Sequence, residues 1–178
     1  KGWVDDTYIA MDERGPEDTR ATADCVKKFA PRIKIAMPGN QPPSKFKGID
    51  LANYCQFIGH IDEPFLKEVV ERRAQGKTTT FYVCCGPRRP NTFTFSPTAE
   101  PVWLGLYAAA NNLDGFLRWS FVNWPRDPLF DSSFGPWPAG DTFLIYPGPR
   151  SSIRWEMLRD GIEEAEKIRV LRAKGDLA

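Results

Sequence analysis

Thr7-Tyr8-Ile9-Ala10-Met11-Asp12-Glu13-Arg14 runs an apolar segment into two adjacent carboxylates, and Gly15-Pro16 breaks it before a helix-like stretch begins. A short strand followed at once by a helix is the repeating unit of a parallel α/β sheet. The C-terminal ends of such strands form the mouth at which α/β active sites are built. Neighbouring side chains on a strand point to opposite faces. One acid of the pair can therefore meet a bound molecule while the other orients or charges the site from the side. The plain alternative is a helix N-terminus, where acids favour the dipole and cap free amides.

The same alternation continues outward from this segment. Residues 7–11 read as a first strand and 16–29 as a helix with Val26 and Phe29 on one face. Residues 33–37 form a second strand, stopped by Pro38-Gly39-Asn40, and a turn-rich loop around Gln41-Pro42-Pro43-Ser44 leads to a third at 54–58. Residues 65–74 make a helix whose apolar stripe is Phe65, Val69 and Val70, ended by Gly76. The fourth strand, 78–85, is nearly continuous in β-branched and aromatic residues, as expected where both faces are covered. A helix at 100–112, a fifth strand at 116–122 and an accessory strand at 142–146 follow. The last element is a long helix at 153–173 with Ile162, Ile168 and Leu171 turned inward. Five principal strands are too few to close an eight-stranded barrel, so either the sheet is open or part of a barrel lies outside these residues. The segment 123–138, rich in Trp, Pro, Asp and Gly, is long for an ordinary connection and reads as functional.

Composition narrows the partners. The 178 residues suffice for one domain with a substantial core, and a net charge of +1 gives no electrostatic reason to expect nucleic acid or a membrane. Aromatic residues reach 13%, many beside Pro and Gly, where ring-stacking sites keep them; a large irregular core uses them equally well. Four cysteines, Cys25, Cys55, Cys84 and Cys85, show no metal spacing and read as buried free thiols, the vicinal pair diverging across a strand. With one histidine, His60, no His-rich metal site can be built, and the reading calls for no metal and no cofactor. No stretch is long and apolar enough to span a bilayer.

Four stretches together resemble the catalytic barrel of glycoside hydrolase family 123 and the related domain of unknown function DUF4091. They are Tyr8 to Arg14, Gly115-Phe-Leu-Arg-Trp-Ser-Phe-Val-Asn-Trp124, Trp137-Pro-Ala-Gly-Asp-Thr-Phe-Leu-Ile-Tyr-Pro-Gly148 and Ser152-Ile-Arg-Trp-Glu-Met-Leu-Arg-Asp-Gly161. They run in order over nearly the whole chain. The resemblance implies an α/β fold that is the C-terminal part of a (β/α)8 TIM-type barrel, a single partial domain over residues 1–178 with about five parallel strands and a long C-terminal helix. It places three βα units before Lys1. It further implies retaining cleavage of terminal β-linked N-acetylgalactosamine, in which the sugar's own 2-acetamido oxygen attacks the anomeric carbon. Asp12 would then orient the acetamido group, and Glu13 would protonate the leaving oxygen and later deprotonate water. The acid must hold its proton near neutral pH, which a neighbouring carboxylate and apolar surroundings favour.

Further candidates stand at the same strand ends. Trp119 and Trp124 can stack on the apolar face of a pyranose and Asn123 can hold a hydroxyl, against core packing as the alternative for Trp119. Tyr82, within the fourth strand, can donate to an acetamido oxygen, or is a buried tyrosine with a backbone partner. His60, in Ile58-Gly59-His60-Ile61-Asp62-Glu63, follows the third strand. Asp127 and Asp131 read as Asx turns, Asp141 as a loop-fixing residue, and Arg88-Arg89 as a solvated loop. A non-catalytic carbohydrate-binding or structural module and an ordinary two-carboxylate glycosidase, with Glu13 as acid and Asp127 as partner, stay open beside the substrate-assisted reading. The partner implied is a glycan. A partial barrel exposing strand edges is expected to self-associate and to be inactive alone.

Overall fold

Pro16 at the start of a helix and Gly76 just past the end of another mark two of the boundaries that order this chain, because Pro tolerates the first turn and Gly the left-handed exit. The computed structural model describes residues 2–133 and 135–177. Its elements are β1 (Tyr8–Ala10), α1 (Pro16–Phe29), β2 (Lys34–Gly39), β3 (Asn53–Phe57), α2 (Glu63–Ala74), β4 (Thr78–Val83), α3 (Ala99–Ala110), β5 (Phe116–Arg118) and α4 (Ile153–Lys174). The strands follow chain order in a five-stranded sheet. The class is α/β, with helices alternating with the strands. None of the described helices is long and apolar enough to cross a membrane. The chain divides into two compact units, Lys1–Phe81 and Tyr82–Ala178.

In the first unit β1 pairs with β2 in parallel, Ile9 opposite Ile35, and β2 with β3 in parallel, Met37 opposite Tyr54. Ile35, Met37 and Tyr54 share one face and are buried with Phe46, Leu51, Phe65 and Val69. The Asp62 side chain caps α2 by accepting from the Phe65 amide at 2.9 Å. From the same helix the buried Arg72 donates to Thr79 Oγ1 at 2.9 Å and to the Leu51 and Thr78 carbonyls at 3.0 Å. Such bonds offset the cost of burying a guanidinium. Phe65, Val69 and Arg72 form the buried stripe of α2, whereas Val70 is 59% exposed. One residue is 100° around a helix, so Val69 and Val70 cannot share a narrow inward face. On α1 the expected apolar face fails likewise: Phe29 is 74% exposed and the buried residue is Thr19.

In the second unit α3 packs on α4. A Cβ placed on Gly105 would lie 2.1 Å from the Gly161 carbonyl oxygen, and one on Gly161 would lie 2.7 Å from that of Val102. The two backbones therefore touch at paired glycines. The inward stripe of α4 is Arg154, Leu158 and Gly161, not Ile162 and Leu171, which are exposed. Ser152 caps α4, its Oγ accepting from the Trp155 amide at 3.2 Å. The expected accessory strand at 142–146 is reduced to isolated antiparallel bridges, Val122 to Phe143 and Tyr146 to Arg150. The fifth strand likewise stops at Arg118 instead of reaching Val122. Phe143 and Leu144 are nonetheless fully buried, so these residues pack as a loop. The cysteine expectation also changes. All four are free thiols, but of these only Cys55 is buried.

Candidate active site

The acidic pair stands immediately beyond β1. The Met11 amide donates to the Ala36 carbonyl at 2.8 Å, one residue past the strand, and Asp12 and Glu13 come next. Both carboxylates are exposed, not set in apolar surroundings, because β1 itself is exposed at all three positions. Asp12 is oriented locally: its Oδ1 accepts from the Glu13 amide at 2.9 Å, and its Oδ2 lies 3.7 Å from the Arg14 guanidinium. At this exposure the ion pair steers more than it stabilises.

The loops after β2 and β3 reach the same end of this three-stranded parallel set. Asn40 and Gln41 follow β2, and His60 follows β3. The Asn40 carbonyl oxygen lies 2.5 Å from His60 Nδ1, so that nitrogen is the donor, because a carbonyl can only accept. Tyr54 donates its hydroxyl to the Gln41 carbonyl at 2.5 Å. Burial pushes the Tyr54 phenol far up, the neighbouring Arg72 only partly offsetting it, so the hydroxyl stays a donor. The same hydroxyl would meet any Cβ on Gly39 at 1.8 Å, so only glycine lets the turn close over the tyrosine. A recess of about 180 Å³ is lined by Glu13, Arg14, Met37, Gly39, Asn40 and Gln41. Asn40, Gln41 and Tyr54 were not singled out in the sequence; the available signal was the Pro38-Gly39-Asn40-Gln41 run, of which β2 takes in the first two residues and only Asn40 and Gln41 lie beyond the strand.

The remaining expected site residues lie in the second unit. Tyr82, on β4, is buried. Trp119, just past β5, is 41% exposed and meets Trp137 edge-on with centroids 5.3 Å apart, so it is not a core residue. Asn123 is tied by its backbone: its amide donates to the Thr142 carbonyl at 3.0 Å and its carbonyl accepts from Thr142 Oγ1 at 2.6 Å. Trp124 donates its indole N–H to the Ile145 carbonyl at 2.7 Å and keeps a face to solvent. Trp119 and Trp124 thus present exposed ring surface, Trp124 held through its indole N–H.

One residue before Trp119, Arg118 enters an ion pair the sequence did not announce. Arg118 and Asp141 are almost wholly buried and paired through Nη2 and Oδ1. Arg118 Nη2 also donates to the Asp141 carbonyl at 2.5 Å, and Nη1 to the Val83 carbonyl at 3.0 Å. Burial lowers the proton affinity of Arg118, and the Asp141 charge partly restores it. Asp141 therefore does fix a loop, through a buried guanidinium instead of a turn. Asp127 and Asp131 accept from nearby backbone amides, Phe130 at 3.3 Å and Ser133 at 2.9 Å, as Asx turns do. Arg88 and Arg89 are exposed, Arg89 lying 3.4 Å from Glu100.

A parallel sheet whose strand-end loops carry adjacent carboxylates belongs to the α/β class in which glycosidases are found. The chain belongs to glycoside hydrolase family 123: residues 1–171 match the family model described as the glycoside hydrolase 123 catalytic domain. Among solved structures it is similar to a family 123 glycoside hydrolase from Clostridium perfringens, studied for its glycolipid glycan hydrolysis. The two share 31% identity at a TM-score of 0.87, over 97% of this chain and 32% of that one. The chain thus spans well under half of that relative's length. No curated protein matches it. The fold is accordingly α/β, part of a (β/α)8-type barrel with a long final helix.

Proposed function

We propose that this protein is a retaining glycoside hydrolase that removes terminal β-linked N-acetylhexosamine, N-acetylgalactosamine above others, with participation of the substrate's acetamido group. The observation that carries this is the adjacency of Asp12 and Glu13 directly beyond a parallel strand in a chain of family 123. Ordinary glycosidases set two carboxyl groups on either side of the scissile bond. When the sugar supplies the nucleophile, the second carboxylate need only orient the acetamide.

In the proposed cycle Glu13 gives its proton to the glycosidic oxygen as the acetamido oxygen bonds to the anomeric carbon. The aglycone leaves as an alcohol, and an oxazolinium ion remains. Asp12 accepts the acetamide N–H and balances the developing positive charge. Water then attacks the anomeric carbon, its proton passing to Glu13, and the acetamide is restored with net retention. An intramolecular nucleophile has a large effective concentration, which is why the protein need not provide its own. His60, Asn123, Trp119 and Trp124 are assigned to sugar binding, the last two by stacking, whereas Tyr82, being buried, keeps the core role that was its alternative. The Clostridium perfringens relative's glycolipid glycan hydrolysis supports a glycan as the substrate class.

Aryl β-N-acetylgalactosaminide and the plain aryl β-galactoside, assayed with the full-length protein, separate the readings. Turnover of the N-acetyl sugar alone is expected. Equal turnover of both removes acetamido participation, and failure on every glycoside leaves a carbohydrate-binding module.

A further inference from the structure

Cys84 and Cys85 follow β4 directly, and their sulfurs lie 3.9 Å apart. Cys85 is exposed and Cys84 half-buried, both as free thiols. The segment around them is fixed by hydrogen bonds that do not involve sulfur. The Cys84 amide donates to the Gly86 carbonyl at 2.9 Å. Asn91 Nδ2 donates to the Cys84 carbonyl at 3.0 Å and to the Pro87 carbonyl at 2.7 Å. The two thiols are therefore presented together on a braced loop, with one of them open to solvent. Nothing in the proposed hydrolysis uses them.

The separation indicates what they can hold. Two sulfurs bound about 2.3 Å from one tetrahedral centre stand roughly 3.8 Å apart, close to the spacing found here. A direct disulfide needs about 2.05 Å and would strain the planar peptide between adjacent residues. A zinc site needs four ligands, and among the described residues no group of three or more His, Cys, Asp or Glu is placed to hold a metal ion. The ligand that fits is one satisfied by two thiolates alone. We propose that Cys84 and Cys85 form a chelating dithiol that captures trivalent arsenicals.

The step is balanced without an oxidant. With an organoarsonous acid, two As–S bonds form and two As–O bonds break, and each thiol proton leaves with a hydroxyl as water. Arsenic and sulfur keep their oxidation states. The exposed Cys85 sulfur attacks first, and Cys84 closes the ring as an intramolecular nucleophile at high effective concentration. A small rotation at Cys85 supplies the slightly narrower angle of a pyramidal arsenic.

Phenylarsine oxide added to the reduced, native full-length protein tests this, with peptide mapping by mass. One adduct is expected on the peptide holding both residues, retained against excess glutathione and released by a small dithiol. Cys84→Ser and Cys85→Ser should each lose the glutathione-resistant adduct, whereas Cys25→Ser should keep it. The unmutated protein decides the matter even where a serine variant fails to fold. No adduct at that peptide, or one that glutathione strips, overturns the chelate, as does retention in either folded serine variant. None of these readouts depends on glycoside turnover.

Discussion

At the residue scale, Asp12 and Glu13 differ in what holds them. The Asp12 carboxylate is fixed by the next amide and faces Arg14, a setting that orients its oxygens as acceptors. Glu13 lines a recess together with Arg14, with Met37 and Gly39 of β2, and with Asn40 and Gln41 just after it. These assignments predict different kinetics. Glu13→Gln is expected to lower kcat on substrates with alkyl leaving groups by about a hundred- to ten-thousand-fold. It should cost much less with an acidic phenol, which departs without protonation. Asp12→Asn keeps the shape but not the charge, and its deficit should be the same for both leaving groups. Steady-state kinetics on the paired substrates checks this, and an equal deficit for Glu13→Gln on both would exclude it as the acid.

At the element scale, periodicity found the helices but not always their inward faces. Gly105 and Gly161 are the clearest case, since an interior glycine is normally unfavourable by roughly 0.5–1 kcal/mol against alanine. Here the sign reverses, because α3 and α4 meet backbone to backbone and an added methyl has nowhere to go. Gly105→Ala should therefore destabilise by about 1–3 kcal/mol or more, as overpacking does, despite its better helix propensity. Denaturant unfolding checks this. Stability equal to or above that of the parent would mean that the helices separate at little cost.

At the scale of the whole molecule, β1 lies at one end of the strand order and hydrogen-bonds to β2 alone among the described strands. Its three residues are exposed, with Tyr8 at 40% and Ile9 at 37%, and Trp3 just before it at 68%. An open edge with apolar side chains offers unpaired amides and carbonyls to another chain. Sedimentation of residues 1–178 in isolation is expected to show a dimer or larger assembly. A monomer at all concentrations would remove self-association from the account.

What the sequence determined by itself is the alternation of strands and helices, the α/β class and the strand-end place of the acidic pair. Those follow from local periodicity, from Pro and Gly at element ends, and from short hydrogen-bonded patterns written within a few residues. The helix 16–29 was legible to the residue for this reason. Tertiary structure decided what depends on distant partners. The buried pairing of Arg118 with Asp141 joins positions 23 residues apart. Neither residue type signals its partner when read alone. The exposure of Trp119 and the burial of Tyr82 are similar cases, because aromatic residues suit core and surface equally until a neighbouring element covers one of them. The inward face of α4 was set by where α3 could approach most closely, and hydrophobicity pointed to Ile162 while close packing selected Gly161.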